Sequence, residues 1–137
     1  MSDIKRNLEK IGKIIEEKAV EGVIEGLYRV AEESVEECPV DTGELRESME
    51  GTVNEQTVLR GKRDGTIEKI GSKVNAINGE IGGIISYDTD YAVYQHENLT
   101  LNHPTPGTKA KYLENPLKRN EQIIINIIAK KIREGLR

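Results

Sequence analysis

The chain has 137 residues, 36% hydrophobic and 32% charged, with a net charge of −4, no Trp, no Phe and five Tyr. Domains typically run to roughly 100–150 residues, so a single domain spanning 1–137 is expected. The acidic balance excludes general nucleic-acid binding, where a basic surface supplies most of the affinity, and no run approaches the roughly 20 apolar residues of a membrane span.

The core has to be aliphatic, filled by Ile, Leu and Val. Small domains bury a smaller share of their surface, so part of the burial is expected between subunits. Charge is unevenly placed. Residues 1–50 carry 7 Lys/Arg against 14 Asp/Glu, whereas residues 109–137 carry 8 against 3. An acidic beginning and a basic end either lie against each other in one subunit, join neighbours head to tail, or form two solvated faces. Cys38 is the only cysteine, which excludes an intrachain disulfide and suits a reducing compartment. Its neighbour Glu37 does not lower a thiol pKa, so a reactive thiolate is not expected. The opening residues Met1-Ser2-Asp3-Ile4-Lys5 lack the apolar stretch of a signal peptide, and the expectation is a soluble protein made in the cytoplasm.

Ile4, Leu8, Ile11, Ile15, Ala19, Val23, Leu27, Val30 and Ser34 fall three or four apart, which predicts one long amphipathic helix over residues 3–37. Pro39 ends it. Asp41 followed by Glu44 has the spacing of a capping box, predicting a short helix that carries Leu45 and Met49 on one face. Three β-rich stretches follow at 52–59, 66–74 and 80–87. Turn residues over 60–65 and 75–79 join them, so a three-stranded antiparallel meander with a long hairpin is expected, its tip holding Arg60, Lys62 and Arg63. Asp90 then caps a short helix with Tyr91, Val93, Tyr94 and His96. A loop over 98–108 carries His103, Pro104 and Pro106, the prolines fixing its backbone. Asn115-Pro116 reads as an N-cap and first helical residue, opening a closing helix over 116–135. The predicted class is α+β, with the long N-terminal and C-terminal helices packed on a small antiparallel sheet.

Three chemistries have to be weighed. Asp41-Thr42-Gly43 is the tripeptide of aspartic proteases, a chemistry that needs two aspartates sharing a proton at the ends of buried strands. Here charged residues in helical register follow it, and a helix start is the better reading. His96 and His103 have Asp88, Asp90 and Glu97 nearby, yet a zinc site wants three or four ligands at tight spacing, and these histidines are seven residues apart. Ser86 with His96 lacks a nucleophile elbow, and Gly79, Gly82 and Gly83 open no phosphate-binding helix. No catalytic residue, cofactor or metal is therefore expected.

Two segments carry a family resemblance. Pro39-Val40-Asp41-Thr42-Gly43-Glu44-Leu45-Arg46-Glu47-Ser48 resembles the P-x-D-T-G-x-L-R-x-S signature of the phage tail-completion and minor-capsid proteins, which join head to tail in long-tailed phages and prophages. Tyr87 through Tyr91-Ala92-Val93-Tyr94-Gln95-His96-Glu97, then His103-Pro104-Thr105-Pro106-Gly107-Thr108-Lys109-Ala110-Lys111-Tyr112-Leu113-Glu114, is similar to that family's second stretch. A glycine usual after the tyrosines is replaced by Glu97-Asn98-Leu99. The resemblance covers residues from about 10 to 136 and implies a non-enzymatic virion protein, assembled in the host cytoplasm as a homo-oligomeric ring at the neck. Head connector or adaptor proteins and tail-tube or tail-terminator proteins would be its partners, with DNA passing through the lumen without sequence-specific binding and no membrane involved. The interface candidates it implies are Asp41, Thr42, Gly43, Leu45, Arg46, Arg60, Lys62, Arg63, Tyr91, Tyr94, His96, His103, Pro104 and Pro106. Large amphipathic side chains such as Tyr91 and Tyr94 suit interface pockets. Two other classes stay open from the residues alone: a small soluble hydrolase, retropepsin-like or metal-dependent, and a cytoplasmic helical adaptor bound by its acidic N-terminal helix.

Overall fold

The structure is a computed structural model that describes residues 2–38, 43–77, 79–88 and 112–137. The expected helix after Asp90 and the loop over 98–108 lie outside the described residues.

Helix α1 spans Ser2–Glu37, as its apolar spacing predicts. At 36 residues it is about 54 Å long. A single turn, α2, covers Glu44–Glu47, and the strands are β1 Met49–Val53, β2 Gln56–Gly61, β3 Ile67–Lys69 and β4 Gly83–Tyr87. Helix α3 spans Glu114–Gly135. The α+β architecture is as expected, but the sheet has four strands in the order β3-β2-β1-β4, all neighbours antiparallel.

The sheet departs from a three-stranded meander for a local reason. Asn54 (φ 48) and Glu55 (φ 70) both adopt left-handed backbone, the pair of conformations that lets a two-residue turn follow the twist of its strands. This turn splits 52–59 into two strands. Met49 accordingly belongs to β1 and shares no helix with Leu45. β4 then pairs with β1, not β3, because the chain returning over 70–82 is tied to the same turn. Asn54 Nδ2 donates to the carbonyls of Asn75 (2.9 Å) and Glu80 (3.1 Å), and its Oδ1 accepts from the Gly82 N–H at 2.8 Å.

Helix α1 lies across one face of the sheet. Ala31 and Val35 from α1 pack with Met49, Val53, Val58 and Leu59, and Val23, Leu27, Tyr28, Ile85 and Tyr87 close around them. Val58 and Leu59 both point inward because the β1–β2 register shifts between Gly51 and Thr52, a bulge that breaks the alternation of faces. α3 lies on another face of α1 and runs antiparallel to it. Gly22 and Gly26 make the approach close, since a Cβ there would press on Ile128 and Ile124. Charge aligns the pair. Arg119 bridges Glu33 (2.7 Å) and Glu37 (2.9 Å), and Lys131 meets Glu25 at 3.3 Å. The acidic beginning and the basic end thus meet within the chain. Buried Asn120 accepts from Arg29 Nε at 2.7 Å and donates to Glu33 at 2.6 Å. Burial opposes ionisation of Glu33, but the hydrogen bonds from Arg119 and Asn120 outweigh it and hold the carboxyl below its ordinary value.

The start of α3 differs from the expected Asn115 cap. Leu113 stands at the N-cap and Pro116 within the first turn, whose N–H groups have no intrahelical partner to lose. The neighbouring Tyr112 is buried, so the chain is already committed to the core before the helix begins. No helix among the described residues is long and apolar enough to cross a membrane.

Candidate functional site: the joint around Arg46

Of the two resemblance segments, the structure describes Gly43 through Ser48, Tyr87 and Asp88, and Tyr112 through Glu114. Asp41, Thr42, Tyr91, Tyr94, His96, His103, Pro104 and Pro106 lie outside the described residues.

Gly43 has φ 83, a left-handed conformation in which residues with a Cβ are strained. It stands at the N-cap of α2, makes no side-chain cap, and its carbonyl accepts from the Glu47 N–H at 3.0 Å. A capping box on Asp41 would have made Gly43 the second helical residue, which its φ forbids. The turn therefore starts at Glu44, later than the expected box.

Arg46 is placed by that turn under the end of α1. Its Nε donates to the Val35 carbonyl at 2.9 Å and its Nη2 to the Glu36 carbonyl at 3.4 Å. The last turn of a helix leaves carbonyls unbonded and carries the negative end of the macrodipole. Here that end bears no basic residue of its own and is surrounded by Glu32, Glu33, Glu36 and Glu37. The guanidinium of Arg46 supplies both the missing donors and the missing charge. On its other side β2 passes so close that a Cβ at Gly61 would overlap the Arg46 carbonyl.

Leu45 points the opposite way, into a second buried cluster with Cys38 and Tyr112, with Tyr87 and Leu113 at its edge. Burial pushes the Cys38 thiol up to about 11, Arg46 pulling weakly in the other direction. Tyr87 and Tyr112 meet edge to face, and Tyr87 shares a 2.6 Å hydrogen bond with the Ser34 hydroxyl.

The basic residues expected at one hairpin tip are divided. Arg60 lies within β2, opposite Glu50 on β1 and Glu68 on β3. Lys62 opens the loop, its N–H bonded to the Thr66 carbonyl at 3.0 Å. Arg63 folds back to pair with Glu47 of α2. The structure thus brings Gly43, Arg46 and Arg63 together and leaves Arg60 apart. It adds Gly61, expected only as a turn residue but placed at the end of β2, and Asn54, which no spacing in the sequence singles out. The signal for Asn54 was its tolerance of left-handed backbone, hidden by the Glu that follows it.

A shallow cavity of about 390 Å³ opens beside the joint, lined by Tyr28, Glu32, Glu36, Arg46, Asp64 and Thr66. Hydrogen bonds from the Thr66 side chain and backbone hold the Asp64 carboxyl below its ordinary value. Among the described residues no group of three His, Cys, Asp or Glu side chains is arranged to hold a metal ion. What the joint does chemically is fasten a helix end to a sheet. Comparisons with protein-family models, with curated proteins and with solved structures each find no match.

Proposed function

We propose that this chain is a structural, non-catalytic virion protein of a tailed phage or prophage, forming a ring at the head–tail junction. The reading starts from the resemblance of residues 39–48 and of the tyrosine segment to the tail-completion and minor-capsid proteins. One observation carries it further: Leu45 from the first segment and Tyr112 from the second share one buried cluster, so the parts of both that the structure describes form a single unit. A ring subunit needs defined geometry where neighbours meet, and Arg46 supplies a link of that kind, its guanidinium joining α2 to the carbonyls that end α1. Head connector or adaptor proteins and tail-tube or tail-terminator proteins are the proposed partners, with assembly in the host cytoplasm and a final place in the virion neck.

The test is to read which genes flank this one and to co-express the chain with the portal, connector and tail-tube proteins of the same phage, followed by negative-stain microscopy and immunogold labelling of virions. The expected result is a ring incorporated at the neck, with the label confined there. A chain that enters no assembly with those partners, or whose gene lies away from head and tail genes, overturns the proposal.

A further inference from the structure

Two segments of α1 differ sharply in their surroundings. From residue 14 to the end of the helix, α1 is flanked by α3 and the sheet; Gly135, the last residue of α3, lies against Ile14 and Lys18. N-terminal to that point no described element packs on it. Ile4, Leu8 and Ile11 lie in that stretch and Ile15 just past its edge; they are 59%, 64%, 44% and 36% exposed. Each is a large aliphatic side chain, and together they form one stripe.

The stripe is the same seam that α3 occupies further along. Ile4, Leu8, Ile11, Ile15, Lys18 and Gly22 follow one another at alternating spacings of four and three, and Gly22 is where Ile128 of α3 seats. Such spacing keeps one face toward a partner helix. The helical groove therefore continues beyond the helix that fills it. A contiguous apolar stripe left in water marks a docking surface.

We propose that the occupant is the same segment of a second copy, running antiparallel. The spacing from Ile4 to Ile15 is four, three, four, and it reads identically in both directions. An antiparallel pair about a two-fold axis therefore sets Ile4 against Ile15 and Leu8 against Ile11, twice over, with no polar residue in any layer. The flanks are compatible: of Lys5, Asn7, Gly12 and Ile14, only Lys5 is charged.

Charge also selects this half of the helix. Residues 2–18 carry five Lys/Arg and four Asp/Glu, so two copies face each other nearly neutral. Residues 19–37 carry six Glu and one Arg, and two such segments would repel. Direction fits as well. α3 runs antiparallel to α1, so the partner segment prolongs α3 along the groove in the same sense.

A two-fold contact closes at two copies and builds no ring. It describes the free protein and stands whether or not the neck reading holds. A specific interface needs about 1,000 Å² in total, and a short helix pair is at that lower edge, so dissociation in the micromolar range is expected.

The test is sedimentation of the full chain from micromolar to submillimolar concentration, beside Ile11→Glu. The expected result is a reversible monomer–dimer equilibrium in the native protein and a monomer throughout in the variant, with unchanged circular dichroism. Orientation is read by oxidative cross-linking of Ile4→Cys and Ile15→Cys proteins, Cys38 being buried. An antiparallel pair cross-links the mixture of the two and neither protein alone. A native chain that stays monomeric overturns the proposal, as does an Ile11→Glu protein that still dimerises. Cross-linking of Ile4→Cys to itself overturns the antiparallel arrangement.

Discussion

Tyr112 meets Tyr87 edge to face, the ring centroids 5.1 Å apart at 90°. Through the Tyr87 hydroxyl, 2.6 Å from Ser34 Oγ, this pair ties the start of α3, strand β4 and helix α1 at one point. Ser34 is fully buried, so without Tyr87 its hydroxyl has no water to turn to. Tyr87→Phe keeps the ring contact and removes that partner, and a loss of about 1–3 kcal/mol is expected. Tyr112→Ala removes a whole buried ring and should lose about 3–5 kcal/mol. Urea unfolding followed by circular dichroism measures both, and equal losses would mean that the hydroxyl counts for as much as the whole ring.

Arg46 is expected to matter through its head group more than its stem. Arg46→Met retains the apolar stem and leaves the Val35 and Glu36 carbonyls without their donor, at a cost of about 2 kcal/mol. Arg46→Lys should recover less than half of this, because an ammonium cannot reach two carbonyls with the geometry of a fork. The shift in urea midpoint at constant slope is the measurement. Full recovery by lysine would reduce the role of Arg46 to its charge.

Cys38 gives the protein a signature in alkali. Its thiol is pushed from 9.0 to about 11, so the folded protein keeps a proton that the unfolded chain gives up. Stability is therefore level below pH 9 and falls as pH rises from 9 toward 11, by about 2–3 kcal/mol from this group. Burial raises the Tyr87 hydroxyl too, which adds a loss of the same sign at higher pH. Cys38→Ala should show a shallower fall across that window. In the native protein at neutral pH the thiol should react with a disulfide reagent only as fast as the chain unfolds; rapid labelling would show the cluster to be open.

The β1–β2 turn carries an avoidable strain at Glu55, a residue with a Cβ held at φ 70. Left-handed backbone costs such residues roughly 1–2 kcal/mol. Glu55→Gly should therefore raise stability by about 1 kcal/mol, a gain read as a higher thermal midpoint. Asn54→Ala should act oppositely and more strongly, since its side chain makes three hydrogen bonds to the returning segment. The Gly82 amide, which bonds to Asn54 Oδ1, should then exchange faster with solvent, and unchanged exchange would show that the return is held by the strand pairing alone.

The helices were legible in the chain because their signal is local and repeated. Ile4 through Leu27 spell out α1 at three- and four-residue spacing, and Leu117 through Ile132 do the same for α3. The interface of the two helices was half legible. Opposite charge at the two ends was plain, but that Arg119 serves Glu33 and Glu37 while Asn120 takes Arg29 needed the helices side by side. Within the Arg46 joint, sequence marked Gly43, Leu45 and Arg46 only as members of a signature. Their partners lie on α1, β2 and the start of α3, and no spacing within residues 39–48 names them.

By itself, then, the sequence determined two amphipathic helices, an aliphatic core, an α+β class and a break after Glu37, each through periodicity or through residues that forbid a conformation. Tertiary structure alone decided the strand order. A turn built on Asn54-Glu55 lacks the glycine that would announce it, and its geometry becomes favourable only when the Asn54 side chain bonds to a chain segment returning from β3. It also decided which part of the α1 stripe is covered. Periodicity marks an apolar face along its whole length, but only the place where α3 stops, against Ile14 and Lys18, leaves Ile4, Leu8, Ile11 and Ile15 in water.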